Sequence, residues 1–287
     1  MRYAALIIVL AFAAAAFGQS ANGPKNAKPF VLGSIDEIRS TQLGETRTLN
    51  IYLPSGYKAG GGAKYPVIYL LDGGADEDFV QVVGLVQFSS FPWVNRLPAS
   101  IVVGITNVSR RRDFTYPSTF ASERTRYPEA GHSDKFIAFV EKELQPYIEK
   151  TYNASASSRT IIGESLGGLL AAEILLKRPE LFDKYVIVAP SLWWDDGSLL
   201  SYPADKLAAS KQKTDVYIGV GKEGLGLGEK PHVGEVDANL LADKLRALKR
   251  KGLTIHFDYL PQEDHATVSH QAVLNAFRLL NAPAMTK

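Results

Sequence analysis

Five consecutive residues, Gly163-Glu164-Ser165-Leu166-Gly167, present a serine in a setting that suits nucleophilic catalysis. A β-like run, residues 159–162, precedes them, and an apolar helix-like run, residues 169–176, follows. A G-x-S-x-G sequence at a strand-to-helix junction is typical of a nucleophile elbow, in which small neighbours let the backbone turn sharply. We therefore predict that Ser165 is a nucleophile in acyl chemistry.

A serine hydroxyl becomes a good nucleophile only when a base takes its proton, and histidine is the usual base. His265 lies in a loop directly after the last predicted strand, where a base can reach the elbow. His256 lies inside that strand and His270 lies in the last predicted helix. His265 is therefore the predicted base, with His232 as the alternative.

An acid that orients the imidazole is expected between the serine and the histidine in the chain. The loop after the predicted strand 215–220 carries Glu223, which we predict to be this acid. A serine–histidine pair without an acid stays open, as do three other carboxylates: Asp195, Asp196 and Asp237.

The tetrahedral intermediate of acyl transfer carries a negative oxygen, which N–H groups stabilise. Leu166 directly follows the nucleophile and is predicted to supply one N–H. The second is expected from the loop after the predicted strand 66–71, where glycines let the backbone approach a substrate closely. Gly74 is the predicted second donor and Gly73 is the alternative.

Two further segments, each following a strand, carry side chains suited to substrate binding. Trp193 and Trp194 are adjacent in a loop and cannot both point into one core, so they are predicted to contribute to a binding cleft. Arg110 and Arg112 follow the predicted strand 99–105 and are predicted to bind an anionic group of the substrate. The alternatives are packing of both tryptophans and pairing of an arginine with Asp113.

The sequence predicts no metal and no cofactor. It contains no H-E-x-x-H motif, no cluster of histidines and no G-x-x-x-x-G-K loop. It also contains no cysteine, which excludes disulfides, a cysteine nucleophile and thiolate metal ligands. The formal net charge of +2 gives no support for nucleic-acid binding or strong membrane attraction.

Strands alternate with single helices along most of the chain. This pattern predicts a parallel sheet with helices on both faces and ligands at the carboxyl ends of the strands. Strands are predicted over residues 46–53, 66–71, 99–105, 160–162, 184–189, 215–220 and 253–260. Helices are predicted over residues 133–152, capped by Ser133 or Asp134 and kinked by Pro146, and over 169–176, 237–251 and 268–280.

The first residues of the 287-residue chain are predicted to lie outside this fold. Arg2 precedes an apolar run from Ala4 to Phe17, about the length of a signal-peptide core, and small residues follow it. We predict a signal peptide over residues 1–18, a flexible N-terminus over 19–29 and a single α/β domain over 30–287. The protein is then periplasmic or secreted and not inserted in a membrane after cleavage, the alternative being an N-terminal membrane anchor.

Taken together, these segments make the chain resemble the esterase-D-like esterases of the α/β-hydrolase superfamily, a group that includes siderophore trilactone esterases. The resemblance runs from about residue 38 to the last helix. Besides the elbow, it is carried by Tyr69-Leu70-Leu71-Asp72-Gly73, Pro190-Ser191-Leu192-Trp193-Trp194 and Glu263-Asp264-His265-Ala266. It implies the α/β-hydrolase fold, hydrolysis of a carboxylic ester by Ser165 and His265, and a pocket near Arg110, Arg112 and the tryptophan pair.

The predicted partner is a small-molecule ester, of a siderophore type or another, and the oligomeric state stays open. Two alternative functions fit the same sequence. One is an acyltransferase, in which a second alcohol replaces water at the same nucleophile. The other is a non-catalytic binding protein with the same fold.

Overall fold

The computed structural model describes residues 28–227 and 231–281, and the strands within them form one sheet. The predicted signal peptide and residues 19–27 lie outside the described residues and stay predictions. The described residues from Gly33 onward belong to one compact unit. Its strands are β1 (Ser34–Arg39), β2 (Thr46–Tyr52), β3 (Tyr65–Leu70), β4 (Ile101–Ile105), β5 (Ala154–Glu164), β6 (Lys184–Val188), β7 (Thr214–Val220) and β8 (Leu253–Tyr259).

The strand order is β1-β2-β4-β3-β5-β6-β7-β8, and the sheet is mostly parallel. Strand β2 pairs antiparallel with β1 and with β4, and all pairings from β4 to β8 are parallel. The predicted α/β-hydrolase architecture is thus confirmed. The carboxyl ends of the parallel strands meet at one edge of the sheet, where loops from distant parts of the chain come together.

Helices occupy the connections between the strands. Helix α6 packs against β5 and β6, α9 packs against β7 and β8, and α10 packs against β6 and β7. Most of the buried side chains are apolar, as expected for strands covered on both faces. The helices are α1 (Phe79–Ser90), α2 (Arg110–Phe114), α3 (Ala121–Arg126), α4 (Ser133–Phe139), α5 (Gln145–Thr151), α6 (Leu166–Lys177), α7 (Ser198–Ser201), α8 (Asp205–Ala209), α9 (Gly234–Ala247) and α10 (Val268–Leu280).

The predicted helix 133–152 is interrupted just before its proline. A π-helical turn, Val140–Leu144, joins α4 to α5. Pro146 has no N–H to donate, and its ring clashes with the carbonyl four residues earlier, which explains the widened turn. The N-cap position is held by His132, not by Ser133 or Asp134, since α4 already begins at Ser133.

Helix α9 spans residues 234–247, so it begins and ends earlier than predicted. Lys249 has a φ of 48°, a left-handed backbone that cannot continue a helix. Gly252, at a φ of 82°, forms the turn into β8 but does not cap the helix directly. Strand β1 was not predicted, because its side chains are largely exposed and show no apolar alternation.

A buried ion pair fixes helix α2 to the sheet. The Arg47 Nη1 atom of β2 lies 2.6 Å from Asp113 Oδ2 of α2, and both side chains are fully buried. We expect Arg47→Met to lower the free energy of unfolding by about 3 kcal/mol, because it leaves a buried carboxylate short of a partner. Urea unfolding followed by circular dichroism measures this loss.

The control is Arg39→Met on the exposed face of β1. It should change the stability by no more than about 0.5 kcal/mol. Equal losses in both variants would show that the buried pair contributes nothing specific.

Candidate active site

The serine predicted to be the nucleophile lies at a sharp turn between β5 and α6. Its backbone has a φ of 57° and a ψ of −117°, a strained conformation for a residue with a side chain. A Cβ atom on Gly163 would lie 2.3 Å from the carbonyl oxygen of Gly167, so only glycine fits at position 163. The geometry is that of a nucleophile elbow, with a half-buried Ser165 at the carboxyl edge of the sheet.

Two loops bring a base and an acid to this serine. His265, from the loop after β8, places its Nε2 atom 3.1 Å from Ser165 Oγ. Its Nδ1 atom makes a short hydrogen bond with the carboxylate of Glu223, from the loop after β7. This hydrogen bond raises the pKa of the His265 imidazole above its usual value, although partial burial acts in the opposite direction. Such an arrangement can take the proton of the serine hydroxyl.

The alternative acids are bound elsewhere. Asp195 accepts hydrogen bonds from the backbone N–H and the hydroxyl of Thr119, each at 2.7 Å. Asp237 lies 2.8 Å from His232 Nδ1, and Asp196 lies 3.5 Å from His232 Nε2. The alternative base is therefore held by two of the alternative acids, away from Ser165.

The predicted oxyanion donors differ in whether their N–H groups already have hydrogen-bond partners. Leu166 is the first residue of α6, and a helix leaves the N–H at that position without an intrahelical partner. The Gly73 N–H donates to the carbonyl of Ile105 at 3.0 Å, which extends the pairing between β3 and β4. The Gly74 N–H donates to the Glu77 carboxylate at 2.7 Å. Gly73 is thus committed to the sheet, and Gly74 stays a predicted donor that requires Glu77 to move.

Only one of the two predicted arginines reaches the cleft beside Ser165. The segment is helical, so residues two apart point in nearly opposite directions. Arg110 lines the cleft, although two hydrogen bonds tie its guanidinium to Asp72. Arg112 instead binds Glu45 and Asp113, which corrects the prediction that it binds substrate.

A second arginine, which was not among the predicted binding residues, also lines the cleft. Arg111 lines it with a side chain that is 40% exposed, while its guanidinium stacks on Tyr127 and lies 3.3 Å from Glu129. Recognising α2 as helical would have favoured the neighbour of Arg110 over a residue two positions away.

The side chains of the two adjacent tryptophans point into different surroundings, as expected for neighbouring residues in a loop. Trp193 lines the cleft and packs against the loop after β7, where a Cβ on Gly226 would lie 3.1 Å from its Cδ1 atom. Trp194 is buried, and its Nε1–H donates to the carbonyl of Tyr116 at 2.9 Å. The prediction that Trp194 binds substrate is therefore corrected, since this side chain belongs to the core.

The cleft has a volume of about 320 Å³ and combines apolar walls with the two arginines. Leu225 and Leu227, from the glycine-rich loop after β7, line it and are 74% and 61% exposed. Ser191 lies at its base, with its hydroxyl 3.2 Å from the hydroxyl of Ser165. None of these three side chains was among the predicted site residues, because loop residues carry no periodic signal.

Neither a metal centre nor a membrane span is evident in the part of the chain that the structure describes. Over residues 28–227 and 231–281, no three histidine or carboxylate side chains are grouped to hold a metal ion. None of the helices in those ranges is long and apolar enough to cross a bilayer.

Comparisons with known proteins are consistent with this geometry. The family model described as "Putative esterase" matches residues 40–274. Ferri-bacillibactin esterase BesA of Bacillus subtilis is 28% identical, over 91% of this chain and 93% of its own. A siderophore triacetylfusarinine C esterase of Aspergillus fumigatus is 33% identical, but only over 32% of this chain and 31% of its own.

The chain also resembles solved structures. An IroE-like serine hydrolase from Shewanella oneidensis superposes with a TM-score of 0.75 at 32% identity, covering 87% of this chain and 80% of that one. The BES protein from Bacillus cereus superposes with a TM-score of 0.77 at 26% identity, covering 91% of this chain and 99% of that one.

Proposed function

Because the chain belongs to the family described as "Putative esterase" and is a carboxylic ester hydrolase, we propose that it cleaves its substrate through an acyl-enzyme on Ser165. The observation that carries this proposal is the chain of contacts from Ser165 Oγ through His265 to Glu223. The contacts join an elbow serine to a base and the base to an orienting acid, which is the arrangement that serine acyl chemistry requires.

The reaction proceeds in two steps. Ser165 Oγ attacks the ester carbonyl while its proton moves to His265 Nε2, and the Leu166 N–H stabilises the oxyanion. The alcohol then leaves with the proton from Nε2, and the acyl group stays on Ser165. Water, deprotonated by the same His265, releases the acid and restores the serine. Glu223 holds the Nδ1–H throughout and stabilises the imidazolium.

The substrate is a bulky ester of the siderophore type. The apolar wall of Trp193, Leu225 and Leu227 suits aromatic or alkyl groups, and Arg111 offers a cation beside it. Relatives named as siderophore esterases support this class. The test is incubation with a ferric catecholate trilactone, followed by mass spectrometry of linear fragments. Cleavage confined to small acetate esters would contradict the proposed class.

Trp193→Ala should raise the KM for a bulky aromatic ester by at least about tenfold and leave hydrolysis of a small acetate ester nearly unchanged. An indole buried against a substrate contributes about 1.5–3 kcal/mol of apolar contact, which the acetate cannot use. Steady-state kinetics with the two esters measure this difference.

The matched control is Trp93→Ala, which removes a tryptophan that is 78% exposed and stacks on Phe91. Both kinetic constants of this variant should match the wild type. If Trp193→Ala affects both esters equally, the indole has a structural role and not one in substrate contact.

A further inference from the structure

A second carboxylate faces the predicted base. Glu164 is the last residue of β5 and directly precedes the nucleophile, and its side chain is 20% exposed. Its Oε1 atom lies 3.5 Å from His265 Nε2, the nitrogen that also lies 3.1 Å from Ser165 Oγ. The imidazole is therefore placed between two carboxylates, with Glu223 at Nδ1 and Glu164 near Nε2.

Several charged groups lie near Glu164. Its Oε2 atom lies 3.9 Å from the guanidinium of Arg110, which is itself bound to Asp72. A cavity of about 290 Å³ beside Ser165 includes Glu164, Arg110 and Asp78 in its lining. Burial raises the pKa of the Glu164 carboxyl to about 7; Asp72 and Asp78 add to the increase, and His265 and Arg110 oppose it.

We propose that Glu164 is a positioning residue that acts through His265 by holding the Nε2–H of the imidazolium. This inference rests on the proposed function. When Ser165 attacks, its proton passes to Nε2, and the Glu164 carboxylate accepts a hydrogen bond from that N–H. The proton then goes from Nε2 to the leaving alkoxide, so Glu164 neither gains nor loses a proton.

The negative charge of Glu164 determines the direction in which it shifts the pKa of His265. An anionic Glu164 favours the protonated imidazole and raises the pKa of His265, in the same sense as Glu223 does. A more basic His265 takes the serine proton more readily, but it is also protonated, and therefore inactive, at a higher pH. Glu164 carries its charge mainly above its own pKa of about 7. Removing the charge should therefore lower activity at alkaline pH, whereas at acid pH the neutral carboxyl and the glutamine should behave alike.

The test is the pH profile of kcat/KM for Glu164→Gln, which keeps the size of the side chain. From pH 8 to pH 5.5, the ratio of variant to wild-type kcat/KM should rise about threefold or more. A ratio that stays constant across this range overturns the proposal, because a purely structural defect scales all pH values equally. The control is Glu263→Gln, a charge removed from the His265 loop, for which the ratio should stay constant.

A second measurement does not depend on turnover or on one variant. The nitrogen resonances of His265 are titrated by NMR in the wild type, in Glu164→Gln and in Glu164→Ser, the last serving if the glutamine variant does not fold. The midpoint should move to lower pH in either variant. Movement without any ester hydrolysis would overturn the proposed function and support the coupling, whereas hydrolysis with an unmoved midpoint would overturn the coupling alone.

Discussion

Ser165→Ala should reduce kcat/KM for ester hydrolysis by at least about 10⁴-fold and abolish labelling by a fluorophosphonate. The acyl-enzyme needs the Oγ atom, and no water molecule can replace a nucleophile that the elbow positions on the substrate. Alanine carries the same unbranched Cβ atom as serine and meets the same steric strain, so the φ of 57° should be retained and the fold preserved. Hydrolysis assays and mass spectrometry of the labelled protein measure the two effects.

The matched control is Ser191→Ala, which deletes a hydroxyl only 3.2 Å away. This variant should still form a fluorophosphonate adduct on Ser165. The acyl-enzyme proposal fails if Ser165→Ala hydrolyses esters at the wild-type rate, or if the adduct forms on Ser191 in the wild type and in Ser165→Ala.

The positions of site residues could be predicted from the sequence where they depend only on the order and direction of the strands. Ser165 and His265 are 100 residues apart, but Ser165 directly follows β5 and His265 lies in the loop after β8. Parallel strands end at the same edge, so the two side chains could be placed together without knowledge of any tertiary contact. The same reasoning placed Glu223, because its loop follows the strand that pairs with β8.

Side-chain direction within loops was not accessible in the same way. Arg110 and Arg112 share a side only in extended chain, and the short helix α2 turns Arg112 towards Glu45. Glycines in the loop after β3 allow close approach to a ligand, but they do not reveal that Glu77 accepts the hydrogen bond from Gly74. These outcomes depend on competition between partners from distant segments, which local propensity does not encode.

Glu223→Gln should lower kcat/KM by about 10²- to 10⁴-fold while keeping the fold. The amide can still accept from His265 Nδ1–H, but it cannot stabilise the imidazolium, and it can equally donate to Nδ1 and fix the wrong tautomer. Because the Glu223 carboxylate raises the pKa of His265, its loss should also move the acid limb of the kcat/KM profile to lower pH. Steady-state kinetics across pH measure both changes.

Asp237→Asn is the informative control, since it alters the carboxylate partner of the other loop histidine, His232. That pair lies at the start of α9, and its loss should leave the chemistry at Ser165 largely intact. A large loss in Asp237→Asn with little loss in Glu223→Gln would mean that the acid acts from α9, and the contact between His265 and Glu223 would then be incidental. Near wild-type rates in both variants would leave Ser165 and His265 as a dyad, with the backbone alone orienting the imidazole.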